Sequence, residues 1–286
     1  MENKMKFVDP KTDIAFKKIF SNQAHKEILI EFLNELLELE YPIADVTISN
    51  SYQPPHLLGL KESHLDIKAT DTSGREFLVE MQVEKEAWFR QRAMYYSSKS
   101  YSQQLGIGEK YHLLKPVIFL GILDFKTFSH ESPFSRHLLL NSQTQQQDLK
   151  DLEFNFIELP KFIKSETELE STADKWIYFI KYAANLDCIP ANADTPALQL
   201  AYQIATQYQW TKEELEVYEA QEIKLEINRN VVETAWLDGM NAGKTVGKEE
   251  GKMDVARNLL PIMDDAAIAQ ITGLDVNAIR QLRLTD

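Results

Sequence analysis

The feature that most limits what this chain can fold into is a change of hydrophobic period near residue 40. Before it, Ile14, Ile19 and Phe20, then Ile28, Leu29, Phe32, Leu33, Leu36 and Leu37 recur at helical spacing, so residues 12 to 39 read as one or two amphipathic helices. After it, Val46 and Ile48 alternate, as do Leu65, Ile67 and Ala69, and then Phe77, Val79, Met81 and Val83, which is the pattern of half-buried strands. Asp71-Thr72-Ser73-Gly74 between the last two is turn chemistry. A long helix containing Trp88, Tyr95 and Leu105 follows. The continuous apolar run Val117 to Leu123 then suits a central strand, and Phe154, Phe156 and Ile157 make one more. Beyond Pro160 the spacing is helical: Trp176, Phe179, Ile180 and Ala183, then Leu198 to Tyr208, then the Glu-rich stretch Thr211 to Val232. This order predicts an α/β core with a C-terminal helical annex. Boundaries are expected near 165 and 235, giving a core over 1–165, an annex over 166–235 and a glycine-repeat segment with small helices over 236–286.

With 286 residues, 44% of them hydrophobic, the chain can bury one substantial core and carry a smaller appendage. No apolar run approaches the roughly 20 residues that span a bilayer, because the longest, Val117 to Leu123, is closed by Asp124. The polar start Met1-Glu2-Asn3-Lys4-Met5-Lys6 has no apolar signal core, so secretion is not expected. The single cysteine, Cys188, excludes an internal disulfide and a cysteine zinc site, and a reducing cytoplasm is expected.

The net charge of −13 argues against a nucleic-acid partner until its placement is examined. Residues 1–147 hold 17 Lys+Arg and 19 Asp+Glu, whereas residues 148–286 hold 14 and 25, so the acidity belongs to the second half. Between 85 and 115, Lys85, Arg90, Arg92, Lys99, Lys110 and Lys115 face only Glu86 and Glu109. That is a local basic stretch, and a solvated helix face is the other reading of the same charges.

The segment His64 to Glu84 reads as a hairpin. Pairing Asp66 with Glu80 puts Lys68 opposite Leu78 and His64 opposite Gln82, with a loop of about three to five residues around Ser73, an allowed length. In this register Leu65, Ile67, Val79 and Met81 share one face, and Asp66, Lys68, Glu80 and Gln82 share the other. Directly opposed carboxylates repel. Asp66 and Glu80 therefore call for a cation between them, with Mg²⁺ or Mn²⁺ favoured by hard oxygen ligands and room for water. Gln82 would point to the same side and orient a water. A solvent-facing polar side of a hairpin is the alternative reading of this spacing.

Asp66 in His64-Leu65-Asp66-Ile67-Lys68, followed by Glu80-Met81-Gln82, resembles the D…ExK core of the PD-(D/E)xK nuclease superfamily. More narrowly, it resembles the recombination-promoting nuclease/transposase family, in which the final Lys is commonly Gln. Three other segments are similar to the same family: Asp13-Ile14-Ala15-Phe16-Lys17-Lys18-Ile19-Phe20, Arg92-Ala93-Met94-Tyr95-Tyr96-Ser97-Ser98-Lys99, and Phe156-Ile157-Glu158-Leu159-Pro160-Lys161-Phe162. The resemblance implies a restriction-endonuclease-like α/β fold, a mixed sheet flanked by helices, with Asp66 and Glu80 as metal ligands. It implies a metal-dependent endonuclease that hydrolyses DNA phosphodiesters with little sequence preference, linked to recombination or mobile elements. Leu65 stands where the superfamily name has Pro, and Gln82 stands in place of Lys. An amide can neither take a proton nor supply positive charge, and Lys68, on the same face, is expected to supply it.

In the family reading, the helical stripe Arg92, Tyr96, Lys99 and Gln103 faces the site, with Arg92 and Lys99 on phosphates and Tyr96 alongside. Tyr95 reads as a rim-of-core aromatic. Asp13, at a helix start, is either a first-turn acid favoured by the helix dipole or a supporting group at the metal. The histidines, His56 and His64 included, show no ligand spacing and read as structural or solvated. Gly239, Gly243, Gly247 and Gly251 form a four-residue repeat, which is either a flexible linker or a helix whose glycine face packs closely on a partner. Beyond it, Ala266 to Leu284 resembles a small helix-turn-helix with only Arg280 and Arg283 as bases, so a capping or homodimer role is expected there rather than DNA reading. The rival functions are a non-catalytic DNA-binding or assembly protein of the same fold, and an RNA nuclease.

Overall fold

A computed structural model describes residues 5–49, 52–53 and 63–285. His56 lies outside the described residues, and only the backbone of His64 is described. The chain divides into two compact units, Met1–Gln221 and Glu222–Asp286.

The first unit is a mixed sheet between two helical layers. Helices α1 (Asp13–Phe20) and α2 (Lys26–Leu36) are followed by β1 (Val46–Ser49), a short pair β2 (Tyr52–Gln53) and β3 (Ser63–His64), then β4 (Ile67–Asp71) and β5 (Glu76–Gln82). Helix α3 (Phe89–Ser102) crosses over to β6 (Val117–Leu123), and β7 (Phe134–Leu139) and β8 (Leu149–Glu158) complete the sheet in the order β1-β4-β5-β6-β8-β7. The pairs β5/β6 and β6/β8 are parallel, and the other three are antiparallel. A parallel pair needs a long crossover, and α3 supplies it between β5 and β6.

Alternation along the strands decides which layer each residue meets. Ile67, Ala69, Phe77, Val79, Met81, Ile118, Leu120 and Ile122 join the core formed with α1, α2, α4 (Thr172–Tyr182) and α5 (Pro196–Ala205). This side is rich in aromatic rings, with Phe16–Phe20 and Phe20–Phe32 centroids 4.8 and 4.7 Å apart and Trp176 fully buried. Helices α4 and α5, which lie within the 166–235 segment, share one core with the sheet. On the opposite face, Leu78, Val117, Phe119, Leu123 and Phe156 pack under Phe89, Ala93 and Tyr96 of α3.

The hairpin has the register expected: Ile67 pairs with Val79 and Lys68 with Leu78. Its turn is held by Asp71, whose carboxylate accepts from the backbone N–H of Ser73 and of Arg75, while Gly74 takes φ +88°. Two details differ. Pairing stops at Ile67, and Leu65 packs with Leu78 in the core under α3, not with Ile67 and Val79. The chain bends at Asp66, which breaks the alternation. Nor is the polar side of the hairpin solvated, because α3 covers it and Glu80 is buried.

The 48-residue helix α6 (Lys212–Leu259) contains all four repeated glycines, so the segment is helical and not a linker. The end of α6, α7 (Asp265–Thr272) and α8 (Val276–Thr285) form a small core of Ala256, Leu260, Ile268 and Ile279. Gly273, at φ +70°, caps α7 in the left-handed conformation. Arg283 donates to the carbonyls of Leu260 and Met263 and to Asp265, so it braces the link between α6 and α7. Among the described residues, no helix is long and apolar enough to cross a membrane.

Candidate active site

Asp66 and Glu80 meet where the hairpin ladder ends. At the bend, the Asp66 carboxylate replaces a backbone acceptor: Met81 N–H donates to Oδ2 at 2.7 Å. Glu80 is the central polar residue of β5, on the face covered by α3. Its register neighbour on β6 is Gly121, and a Cβ there would stand 2.9 Å from the Phe156 ring, so the ring closes over the sheet beside Glu80. Glu80 Oε1 accepts from Arg92 Nη2 at 2.9 Å, while Oε2 is buried with no hydrogen-bond partner among the described residues. A buried oxygen of this kind costs free energy unless a donor or cation meets it.

Burial and mutual charge set the protonation of the pair. Burial, reinforced by the Asp66 charge, pushes the Glu80 carboxyl up to about 8 against the opposing pull of Arg92 and Lys17. Burial likewise raises Asp66 to about 6, opposed by the Met81 N–H and Lys17 and assisted by Asp13. Two carboxylates held in an environment that resists their ionisation are a charge deficit for a cation to fill. Among the described residues, no three His, Cys, Asp or Glu side chains converge as a complete metal cage. The donor set is two carboxylates, which fits a hard cation that keeps several waters, the habit of Mg²⁺.

Cationic side chains reach the pair from both helical layers. From α1, Lys17 Nζ lies 2.5 Å from Asp13 Oδ1 and 3.7 Å from Asp66 Oδ1. Burial works against the Lys17 charge, but the hydrogen bond and charge of Asp13, with Asp66 and Glu80 behind it, prevail and raise its pKa. From the opposite layer, Arg92 binds Glu80, Gln82 and Glu86, with its guanidinium 5.0 Å from the Phe89 ring and 5.9 Å from that of Tyr96.

The structure thus brings Asp13, Asp66, Glu80, Gln82 and Arg92 together. Gln82 Nε2 donates to Glu84 O at 2.9 Å, so both ends of its amide are engaged. Lys68 stands elsewhere. Its ammonium contacts Glu76 at 3.2 Å and Ser100 at 3.0 Å, and Glu76 lies four residues, roughly 13 Å, along the strand from Glu80. Tyr96 and Lys99 are each 8% exposed, Tyr96 in the core under α3 and Lys99 beside the Tyr95 ring, whereas Tyr95 is the exposed member of the tyrosine pair. Lys17 is the site residue that sequence reasoning did not single out. Its signal was its position four residues after Asp13, on the same helical face.

A family model described as PD-(D/E)XK nuclease family transposase matches residues 10–235. No curated protein and no solved structure matches the chain. The family match spans both layers of the sheet and every group around Asp66 and Glu80, and the chain belongs to the PD-(D/E)XK nuclease family transposases.

Proposed function

We propose that this protein is a divalent-metal-dependent endonuclease that hydrolyses phosphodiester bonds of double-stranded DNA with little sequence preference, in the service of recombination or mobile elements. The observation that carries the reading is the buried Oε2 of Glu80 beside Asp66, which has no hydrogen-bond partner among the described residues, in a site that resists holding both charges without a cation. Asp66 and Glu80 would hold Mg²⁺ or Mn²⁺. A cation bound there supplies an activated water at neutral pH and neutralises charge that develops on the phosphate.

The chain's own groups do the rest. The Met81 N–H and the bend fix Asp66, and Arg92 fixes Glu80, so the two carboxylates are set before any ligand arrives. Asp13 holds the Lys17 ammonium on one side of the pair, and Glu86 braces Arg92 on the other. Positive groups placed in advance stabilise charge in the transition state at little reorganisation cost. Tyr96 supports the Arg92 guanidinium from the core, and Lys99 serves the same helix. Phosphates beyond the scissile one fall to the exposed Lys85 and Arg90. The exposed, single Cys188 suits a reducing compartment, which we read as the cytoplasm. The C-terminal helices are assigned to assembly of a homodimer.

The test is incubation of purified protein with supercoiled plasmid in Mg²⁺, in Mn²⁺ and in chelator. Nicking is expected only with a divalent ion, and Asp66→Ala and Glu80→Ala are each expected to abolish it while retaining the circular dichroism of the parent. A folded Asp66→Ala variant that nicks like the parent would overturn the assignment. Cleavage of RNA in preference to plasmid would move the substrate class.

A further inference from the structure

Position 82 carries Gln where the superfamily motif ends in Lys, and the surroundings of its amide account for that choice. Gln82 Oε1 accepts from Arg92 Nη2, the same nitrogen that donates to Glu80 Oε1 at 2.9 Å, while Gln82 Nε2 is spent on Glu84 O. The amide is therefore oriented with its carbonyl toward the guanidinium. Arg92 comes from the first turn of α3 and is braced by Glu86 and by the face of Phe89. A guanidinium is always charged and offers several donors in a rigid fork, so one side chain can serve Glu80 and Gln82 together. An ammonium at position 82 would instead be brought against that guanidinium, and like charges in a partly buried site repel strongly.

We infer that Arg92 and Gln82 act as one unit, in which Arg92 carries the positive charge that the motif's terminal Lys otherwise carries and Gln82 is the neutral acceptor that aims it at Glu80 and the reacting phosphate. This inference rests on the nuclease reading of the site. Of the nearby lysines, Lys17 stands on the Asp66 side of the pair, against Asp13 and Asp66, and Lys68 is held away from the pair by Glu76 and Ser100, so neither meets Glu80 from the side of position 82. Positions 82 and 92 are thus coupled, and restoring the motif's Lys at 82 alone is harmful because the charge is already present.

The experiment is a double-mutant cycle of Gln82→Lys, Arg92→Gln and their combination, read in two ways. One readout is plasmid nicking at saturating Mg²⁺, and the other is melting temperature in chelator. Each single variant is expected to lose activity on the order of 10²-fold, and the exchanged pair to recover most of it. In chelator, Gln82→Lys is expected to lower the melting temperature when Arg92 is present and to leave it unchanged when position 92 is Gln. If Arg92→Gln does not fold, Arg92→Ala replaces it in the melting readout and Arg92→Lys in the nicking readout. Arg92→Lys keeps a charge but loses the fork, so intermediate activity is expected, whereas full activity overturns the pairing. Parent-like nicking by Gln82→Lys, or an exchanged pair as slow as Arg92→Gln, overturns it too. Should the parent itself not nick plasmid, the nuclease reading fails, but the melting cycle still decides the pairing, since additive shifts would refute it.

Discussion

Lys17 and Lys68 make a contrast at the scale of single residues, because each is a lysine beside carboxylates on the hairpin side of the protein. Lys17 contacts Asp13 and Asp66 and is felt by Glu80, whereas Lys68 is tied to Glu76 and Ser100 toward the turn. Lys17→Ala is therefore expected to slow nicking by something like 10²-fold, the loss attributed to a single preorganised group. Lys68→Ala is expected to nick like the parent but to lose about 1–3 kcal/mol of stability, since it takes the cation away from the mostly buried Glu76 and leaves that carboxylate its hydrogen bond from Ser100. Plasmid nicking and chemical denaturation of both variants check the pair, and the reverse pattern would put the functional charge on Lys68. Sequence alone favoured Lys68 because period-2 alternation places it on the face of Asp66 and Glu80. It does not report how far along a strand a long side chain leans.

At the scale of elements, hairpin register depends on alternation and turn chemistry, which one sequence displays openly. The β4/β5 pairing and the Asp71–Gly74 turn were legible for that reason. What was not legible is what covers a face. Alternating polar residues on β5 look solvated, yet α3 buries Leu78 and Glu80 alike. Strand β7 had no signal either, because Phe134 to Leu139 lies at the sheet edge, where most of its side chains are only half-buried and no alternation is enforced. The bend at Asp66 left no mark, since its cause is a side chain replacing a backbone acceptor. Gly121 shows how closely the elements fit around the site. Gly121→Ala would drive a methyl group to 2.9 Å from the Phe156 ring and 3.1 Å from Phe119. A loss of about 1–3 kcal/mol is expected from such overpacking, together with slower nicking as α3 and Arg92 are displaced. A melting curve unchanged from that of the parent would show that the rings yield freely.

For the whole molecule, the buried carboxyl pair makes stability depend on pH in a direction opposite to ordinary surface acids. Glu80 is held at about 8 against an ordinary 4.5, and Asp66 at about 6 against 3.8. Groups with raised folded pKa values contribute stability that is complete below the ordinary value and is lost as pH rises through the folded one. In chelator, the contribution of this pair is therefore expected to decline between pH 3.8 and about 8, and Glu80→Gln to flatten the part of that decline above pH 4.5. A divalent ion held by the pair, as proposed, would bind its ionised form and is expected to raise the melting temperature more as pH climbs. Thermal unfolding across pH with and without Mg²⁺ checks this, and a metal-induced shift that shrinks with rising pH would refute it.

The bond from Met81 N–H to Asp66 has a consequence for how the site can be watched. This main-chain amide lies within a strand of the central sheet, yet its acceptor is a titrating carboxylate. The resonance of that one amide proton should move whenever Asp66 gains or loses charge, so nuclear magnetic resonance of isotopically labelled protein would read the occupancy of the centre from the backbone, with neither substrate nor cleavage required.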